Sequence, residues 1–227
     1  WEEAGPPKRR RFREPSERKD PLDEDQKMED AVAARLRLPL AKYNGAELKF
    51  IDNTMAHAFH PVGFYAIINS NLVNVAEGTG QSERVGRRIV VRSVHVRAIF
   101  KYTDMVISPM HVRFVLYLDK QTNGAAATPS EMIPPTQTGF RNLNYTYRYR
   151  ILLDKVIPVR AAAHDGTNMG DNTVYKSWNV PLNVPVDYNG ATGAIGEICC
   201  NSLGCLMTSE SADGRIDGDV RVRYTDV

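Results

Sequence analysis

Basic side chains are the residues of this chain with the most chemistry to offer. Pro7 leads Lys8, Arg9, Arg10, Arg11, Phe12 and Arg13, and Arg18 and Lys19 follow, a cationic block of the kind that a polyanion or a nuclear-import receptor takes up through charge. The bland reading of the same block is a solvated tail. A second cluster, Arg84, Arg87, Arg88, Arg92 and Arg97, runs from a loop into a long strand pattern, where some of its members must leave the core face. Tyr145, Tyr147, Arg148, Tyr149 and Arg150 interleave aromatic rings with guanidiniums, which can stack bases while holding phosphates. Because the three tyrosines share one parity, an ordinary strand with one packed aromatic face explains them as well.

Nucleophilic and metal chemistry is weakly represented. His57 and His60 stand three apart without a helical pattern or a third ligand at a telling spacing. Cys199, Cys200 and Cys205 are an odd count within seven positions, and adjacent strand residues point to opposite faces, so one metal cannot easily take the first two. Buried, reduced thiols are the expectation, in keeping with a reducing compartment. Gly78 and Gly80 lack the following helix that a phosphate loop needs. Asp119 and Asp154 end strand patterns ahead of turns, where a carboxylate usually shapes the turn. No catalytic residue, metal site or cofactor is assigned.

Composition sets the frame for these residues. A chain of 227 residues with 42% hydrophobic and 25% charged residues is ordinary globular material. It should bury ~70% of its unfolded surface without needing disulfides. No apolar run approaches the ~18 residues of a membrane span, and no secretory leader opens the sequence, so an intracellular origin is expected. Residues 1–40 carry ten basic and ten acidic side chains, so the formal net charge of +2 belongs to residues 41–227. With few large apolar residues before Val32, residues 1–40 read as a mobile arm, with a possible short helix over Glu29–Leu38. Residues 41–227 read as the folded domain.

Period two dominates that domain. Val112, Phe114, Leu116 and Leu118 alternate with Arg113, Val115, Tyr117 and Asp119; Val94, Val96, Ala98 and Phe100 alternate with Ser93, His95, Arg97 and Lys101. Val220, Val222 and Tyr224 alternate in the same way with Arg221 and Arg223. The pattern predicts strands near 64–75, 88–102, 110–119, 147–153, 155–160, 174–186, 196–208 and 219–226, with an extra short one near 46–52. Helix-length amphipathic segments are absent from this part of the sequence. Eight strands with long, uneven connections predict an all-β, single jelly-roll β-sandwich, whose strands B to I form the sheets BIDG and CHEF.

Lettering the eight strands in order places Pro158 in F and Pro181 and Pro185 in G, both sheet edges, where a residue without an amide hydrogen is tolerated. The same lettering makes 110–119 strand D and 219–226 strand I, which are paired neighbours. Arg113, Arg221 and Arg223 should then share one outward face and require a neighbouring subunit or a nucleic-acid backbone.

Three stretches carry a family resemblance: Gly78-Thr-Gly-Gln-Ser-Glu-Arg-Val-Gly-Arg-Arg-Ile89 leading into Val91-Arg-Ser-Val-His-Val-Arg97, then Val112-Arg-Phe-Val-Leu-Tyr-Leu-Asp-Lys-Gln-Thr-Asn-Gly124, and Tyr147-Arg-Tyr-Arg-Ile-Leu-Leu-Asp-Lys155. In this order, over about a third of the chain, the sequence resembles the single-jelly-roll capsid proteins of circovirus-like, Rep-encoding single-stranded DNA viruses. The resemblance implies a non-enzymatic structural protein, found in the virion and in the host nucleus during assembly. About sixty copies would close into a T=1-like icosahedral shell around single-stranded DNA, through sequence-independent phosphate contacts.

It also implies that Lys8 to Arg13, Arg18 and Lys19 form an inward-pointing arm that binds the genome and an import receptor. Arg84, Arg87, Arg88, Arg113, Arg148, Arg150, Arg221 and Arg223 would serve nucleic-acid or inter-subunit contacts. Arms in that family are commonly strongly cationic, whereas this one is balanced; either more arginines precede Trp1 or the genome is held weakly. Loops 120–139 and 161–173 are expected at the outer surface or between subunits. The competing readings are a coat protein of a small RNA virus or satellite, and a carbohydrate-binding β-sandwich using loops such as Asp187-Tyr-Asn-Gly190. A cupin-like metalloenzyme ranks below these, because His95 and His111 stand alone.

Overall fold

In a computed structural model, the described residues are 47–102, 110–159 and 173–227, all within the unit Glu47–Val227. The elements are β1 (Leu48–Ala58), β2 (Ala66–Asn69), β3 (Arg88–Tyr102), β4 (Met110–Asp119), α1 (Pro129–Met132), β5 (Tyr149–Val159), β6 (Thr173–Tyr188), β7 (Ile198–Cys200), β8 (Ser202–Ser209) and β9 (Gly214–Asp226). They form two antiparallel sheets, ordered β1-β9-β3-β6-β7 and β2-β8-β4-β5. The fold is the all-β jelly-roll sandwich that the sequence predicts. No helix among the described residues is long and apolar enough to cross a membrane.

The lettering, however, is corrected. With β1 as B and β2 as C, the sheets are BIDG (β1, β9, β3, β6) and CHEF (β2, β8, β4, β5), and β7 extends the first beyond β6. Residues 110–119 are therefore strand E, and 88–102 are strand D. Two misreadings produced the shift. The segment expected as a short extra strand near 46–52 is the eleven-residue β1. The strands expected at 147–153 and 155–160 are one strand, because Asp154 and Lys155 pair directly with Val115 and Phe114 of β4. Their charges mark a strand at a sheet edge, where polar side chains discourage further pairing, and no turn. A third difference is that residues 196–208 break into β7 and β8 at Asn201, whose φ of 65° is one that asparagine tolerates better than most residues.

The core lies between the sheets. Val94, Val96, Ala98 and Phe100 of β3 and Val220, Val222 and Tyr224 of β9 meet Val112, Phe114 and Leu116 of β4 and Cys205 and Met207 of β8. Phe114 packs edge-on to Phe100 and stacks on Trp178 with ring centroids 5.5 Å apart. Each fully buried apolar side chain of this size contributes about 1.5–3 kcal/mol. Strand β4 buries its other face too. There Val115 and Tyr117, with Leu206 of β8, are roofed by Ala127, Met132, Ile133 and Tyr149 of the β4–β5 connection and the start of β5. Pro158 sits in β5, the edge of its sheet. Pro181 and Pro185 sit in the part of β6 that pairs only with β3, so the edge placement of all three holds.

The loop between β2 and β3 is locked by Arg84, which is wholly buried. Its Nε donates to the carbonyl of Val75 at 3.1 Å, its two terminal nitrogens donate to the carbonyls of Gly86 and Gly190, and its guanidinium lies 4.3 Å from the centre of the Tyr188 ring. Arg84 is thus removed from the expected binding residues: no nucleic acid or neighbouring subunit can reach it. Arg84→Ala should lower unfolding stability by about 3 kcal/mol, because three carbonyls lose a charged donor. Chemical denaturation measures this, and a change within ±0.5 kcal/mol would mean that the lock is dispensable.

Candidate nucleic-acid interface

The outward face of the five-stranded sheet collects the charged side chains that the inner face cannot hold. Strand β3 first turns Ile89 and Val91 inward, then shifts register between Val91 and Ser93 against both β6 and β9, after which Val94, Val96 and Ala98 point inward. Against β6 the extra residue lies on β6, between Pro181 and Val184; against β9 it lies on β3, a β-bulge at Arg92. Beyond it, His95 and Arg97 face outward. His95 is opposite Arg221 of β9 and Asn179 of β6; Arg97 is opposite Asp219 and Ser177. Strand β1 completes the rows with Phe50 opposite Arg223 and Asp52 opposite Arg221.

Within these rows one guanidinium is fixed and two are not. Arg221 donates through Nε and Nη2 to the two carboxylate oxygens of Asp52, both at 2.7 Å, and lies 4.5 Å from the centre of the Phe50 ring. Its hydrogen bond to Asp52 holds that carboxyl below the ordinary aspartate value. Among the described residues, no carboxylate comes within ion-pair distance of Arg97 or Arg223. Asp52, His95, Arg97, Asp219, Arg221 and Arg223 line one shallow, open depression. His95 accepts from or donates to the Ser177 hydroxyl through Nε2 at 3.0 Å. Partial burial, then the charges of Arg97, Arg223 and Arg221, hold it below the usual histidine value. Farther along, Lys101 and Arg215 share Asp217. This face therefore has an excess of cations, two of them without a carboxylate partner among the described residues, and can bind an extended anion such as a phosphodiester chain.

The other expected residues divide by burial. Arg221 and Arg223 share this face, but Arg113 does not, because β4 belongs to the opposite sheet. Only 5% exposed, Arg113 donates through Nε and Nη2 to Asp154 at 2.8 and 2.6 Å and through Nη1 to the carbonyls of Thr136 and Gly139. It pins the β4–β5 connection onto the sheet. Arg148 is likewise engaged, by the wholly buried Asp119 at 3.0 Å and by Glu131 at 3.5 Å. Arg88 pairs with Asp187 across β3 and β6. Arg87 and Arg150 are exposed, outside the depression.

The tyrosine-arginine stretch resolves along the same line. Tyr149 is buried and bonded to Glu131, while Tyr147 is exposed with its ring 6.2 Å from that of Tyr145. Cys205 is buried as expected, Cys200 is half-buried beside Asp187, and Cys199 is exposed against expectation. It occupies the outward position of the short β7. Among the described residues, no three His, Cys, Asp or Glu side chains gather as metal ligands. Lys8, Arg9, Arg10, Arg11, Arg13, Arg18 and Lys19, the Glu29–Leu38 segment and most of loop 161–173 lie outside the described residues.

Sequence reasoning missed Phe50, Asp52, His95 and Asp219 as members of this face. The period-two runs of β1, β3 and β9 name them once the three strands are paired.

No protein-family model and no curated protein matches the chain. Among solved structures it is similar to the infectious bursal disease virus VP2 subviral particle, at 9% identity over 80% of this chain and 33% of that one, with a TM-score of 0.33. It is also similar to the Gt strain of infectious bursal disease virus, at 11% identity over 80% and 34%, TM-score 0.28. A third similar structure is that of T=1 particles derived from infectious bursal virus, at 11% over 80% and 32%, TM-score 0.24. The chain spans about a third of the length of the chains it matches.

Replacing Arg97 and Arg223 together by Gln should weaken binding of single-stranded nucleic acid and flatten its dependence on log salt by about 1.4, two phosphate contacts being lost. Arg113→Gln should instead lower thermal stability and leave that salt dependence unchanged. The opposite pattern in a salt titration would place the contact under the β4–β5 connection.

Proposed function

We propose that this chain is a capsid protein: many copies close into a small icosahedral shell and enclose single-stranded DNA, with no catalytic step. The observation that carries the proposal is the pairing of a BIDG/CHEF jelly roll with an outward BIDG face on which Arg97 and Arg223 have no carboxylate partner among the described residues and Arg221 is pre-set by Asp52 and Phe50. A sandwich needs no such cations to fold. Its inner face already buries the apolar residues, and unmatched guanidiniums on one sheet repel one another. A partner of opposite charge removes that cost, and phosphates spaced along a flexible single strand can match irregular cations without reading sequence.

In this reading the BIDG face lines the inside of the shell, and the arm from Lys8 to Lys19 adds further phosphate contacts and doubles as a nuclear-import signal. The β4–β5 connection supports the proposal from the other side of the molecule. It exposes Phe140 (94%) and Leu143 (74%) while its backbone is anchored by Arg113 and by the Tyr65 hydroxyl, which donates to the carbonyl of Ile133 at 2.5 Å. Apolar side chains held out on an anchored loop suit contact with a neighbouring copy. The exposed Tyr147, with the half-buried Asn142 near it in sequence, keeps a carbohydrate-binding reading as the alternative.

Purified full-length chain should form particles in the megadalton range, seen by light scattering and as closed spheres by electron microscopy; a monomer at every salt concentration overturns the proposal. Nuclease digestion of the particle contents decides between DNA and RNA. Alanine at Lys8, Arg9, Arg10 and Arg11 should reduce nuclear accumulation, and unchanged accumulation removes the import role.

A further inference from the structure

His95 stands on β3, the middle strand of the five, so charged groups reach it from several sides. From its own strand Arg97 approaches. Strand β9 contributes Asp219, Arg221 and Arg223, and β1 contributes Asp52. Strand β6 faces it with Ser177 and Asn179, both uncharged. Of the two carboxylates, Asp52 is occupied on both oxygens by Arg221, and Asp219 lies opposite Arg97. With a neutral imidazole the set sums to one positive charge; with an imidazolium it sums to two.

Resting on the reading of this face as a nucleic-acid surface, we infer that His95 makes it a proton-linked grip: a phosphodiester lodged among Arg97, Arg221 and Arg223 is held more tightly when the imidazole is charged and loosened when it is neutral. Burial first, and then the charges of the three guanidiniums, oppose protonation. An anion placed among them cancels that repulsion, so its arrival raises the proton affinity of His95. Linkage makes the effect reciprocal, and protonation must raise the affinity for the anion by the same factor.

Ser177 lets the ring change state without moving. Its hydroxyl donates to an unprotonated Nε2 and accepts from a protonated one across the same 3.0 Å. Arg221 cannot supply the switch because it stays charged, and Asp52 cannot because Arg221 keeps its carboxylate ionised.

The direction follows from the sign of the shift. Above the histidine value of the complex, affinity is independent of pH. It rises as pH falls through that value and levels off below the lower value of the unliganded protein. Each unit between the two is worth tenfold in affinity.

Binding of a labelled oligothymidylate to the full-length chain at fixed ionic strength tests this, because thymidylate has no group titrating between about pH 5 and 8. Affinity should rise about tenfold from pH 8 to pH 5 in the natural chain. His95→Gln should abolish the rise, and His95→Lys should bind at pH 8 as tightly as the natural chain does at pH 5. Binding that is flat in pH, or a rise that survives in His95→Gln, overturns the grip and leaves the nucleic-acid face standing. No binding at any pH overturns both.

Discussion

Everything on the outward face of the five-stranded sheet follows from the alternation of side chains along β3 and β9, the two strands at its heart. Neither can put an apolar residue into the sandwich without putting its neighbour outside it. Val94, Val96, Ala98 and Phe100 therefore fix where His95 and Arg97 stand, and Val220 and Val222 fix Arg221 and Arg223. The bulge at Arg92 sets the phase. Had β3 run without it, the inward run of Ile89 and Val91 would have continued through Ser93, His95 and Arg97, and three polar side chains would lie in the core.

The arginines of this chain do two kinds of work, and burial separates them. Arg84 and Arg113 are enclosed, and each donates to several backbone carbonyls that no other side chain satisfies. A planar guanidinium with five donors suits that task where lysine would not. Each holds a long connection against the sandwich, one ahead of β3 and one ahead of β5. Among the described residues, Arg97 and Arg223 make no such contacts. Arg221 is intermediate: Asp52 and Phe50 orient it without enclosing it, which lowers the entropy that a bound anion would otherwise have to remove.

Much of this was legible in the sequence. Strands β3 and β4 have the ends that their alternation predicts, and the prolines at 158, 181 and 185 fall at sheet edges. The jelly-roll order itself is as expected. What failed was the count at two edge strands. In β1, Asp52, Thr54 and Ala56 dilute the apolar pattern because one face meets solvent. In β5, Asp154 and Lys155 resemble a turn because an edge strand tolerates charge. Those errors offset each other in number, so the total stayed right while the letters moved by one, and Arg113 was assigned to the wrong sheet. The role of a basic residue was legible only where its strand partner was known. Nothing in the local sequence distinguishes the enclosed Arg113 from the open Arg223, because the carbonyls that capture Arg113 come from residues more than twenty positions away.

The prolines of β6 bear on how copies of this chain can coexist at high concentration. A strand of sixteen residues whose far side β7 covers only at Asp187 and Tyr188 would ordinarily invite another molecule to extend the sheet, and repeated extension leads to fibres. Pro181 and Pro185 have no amide hydrogens to offer, and Pro158 does the same for β5. Along these two strands, pairing by a crowding molecule is interrupted, and contact there falls to side chains and loops. At β5 and β6 the rim chemistry of the sandwich works against fibre growth.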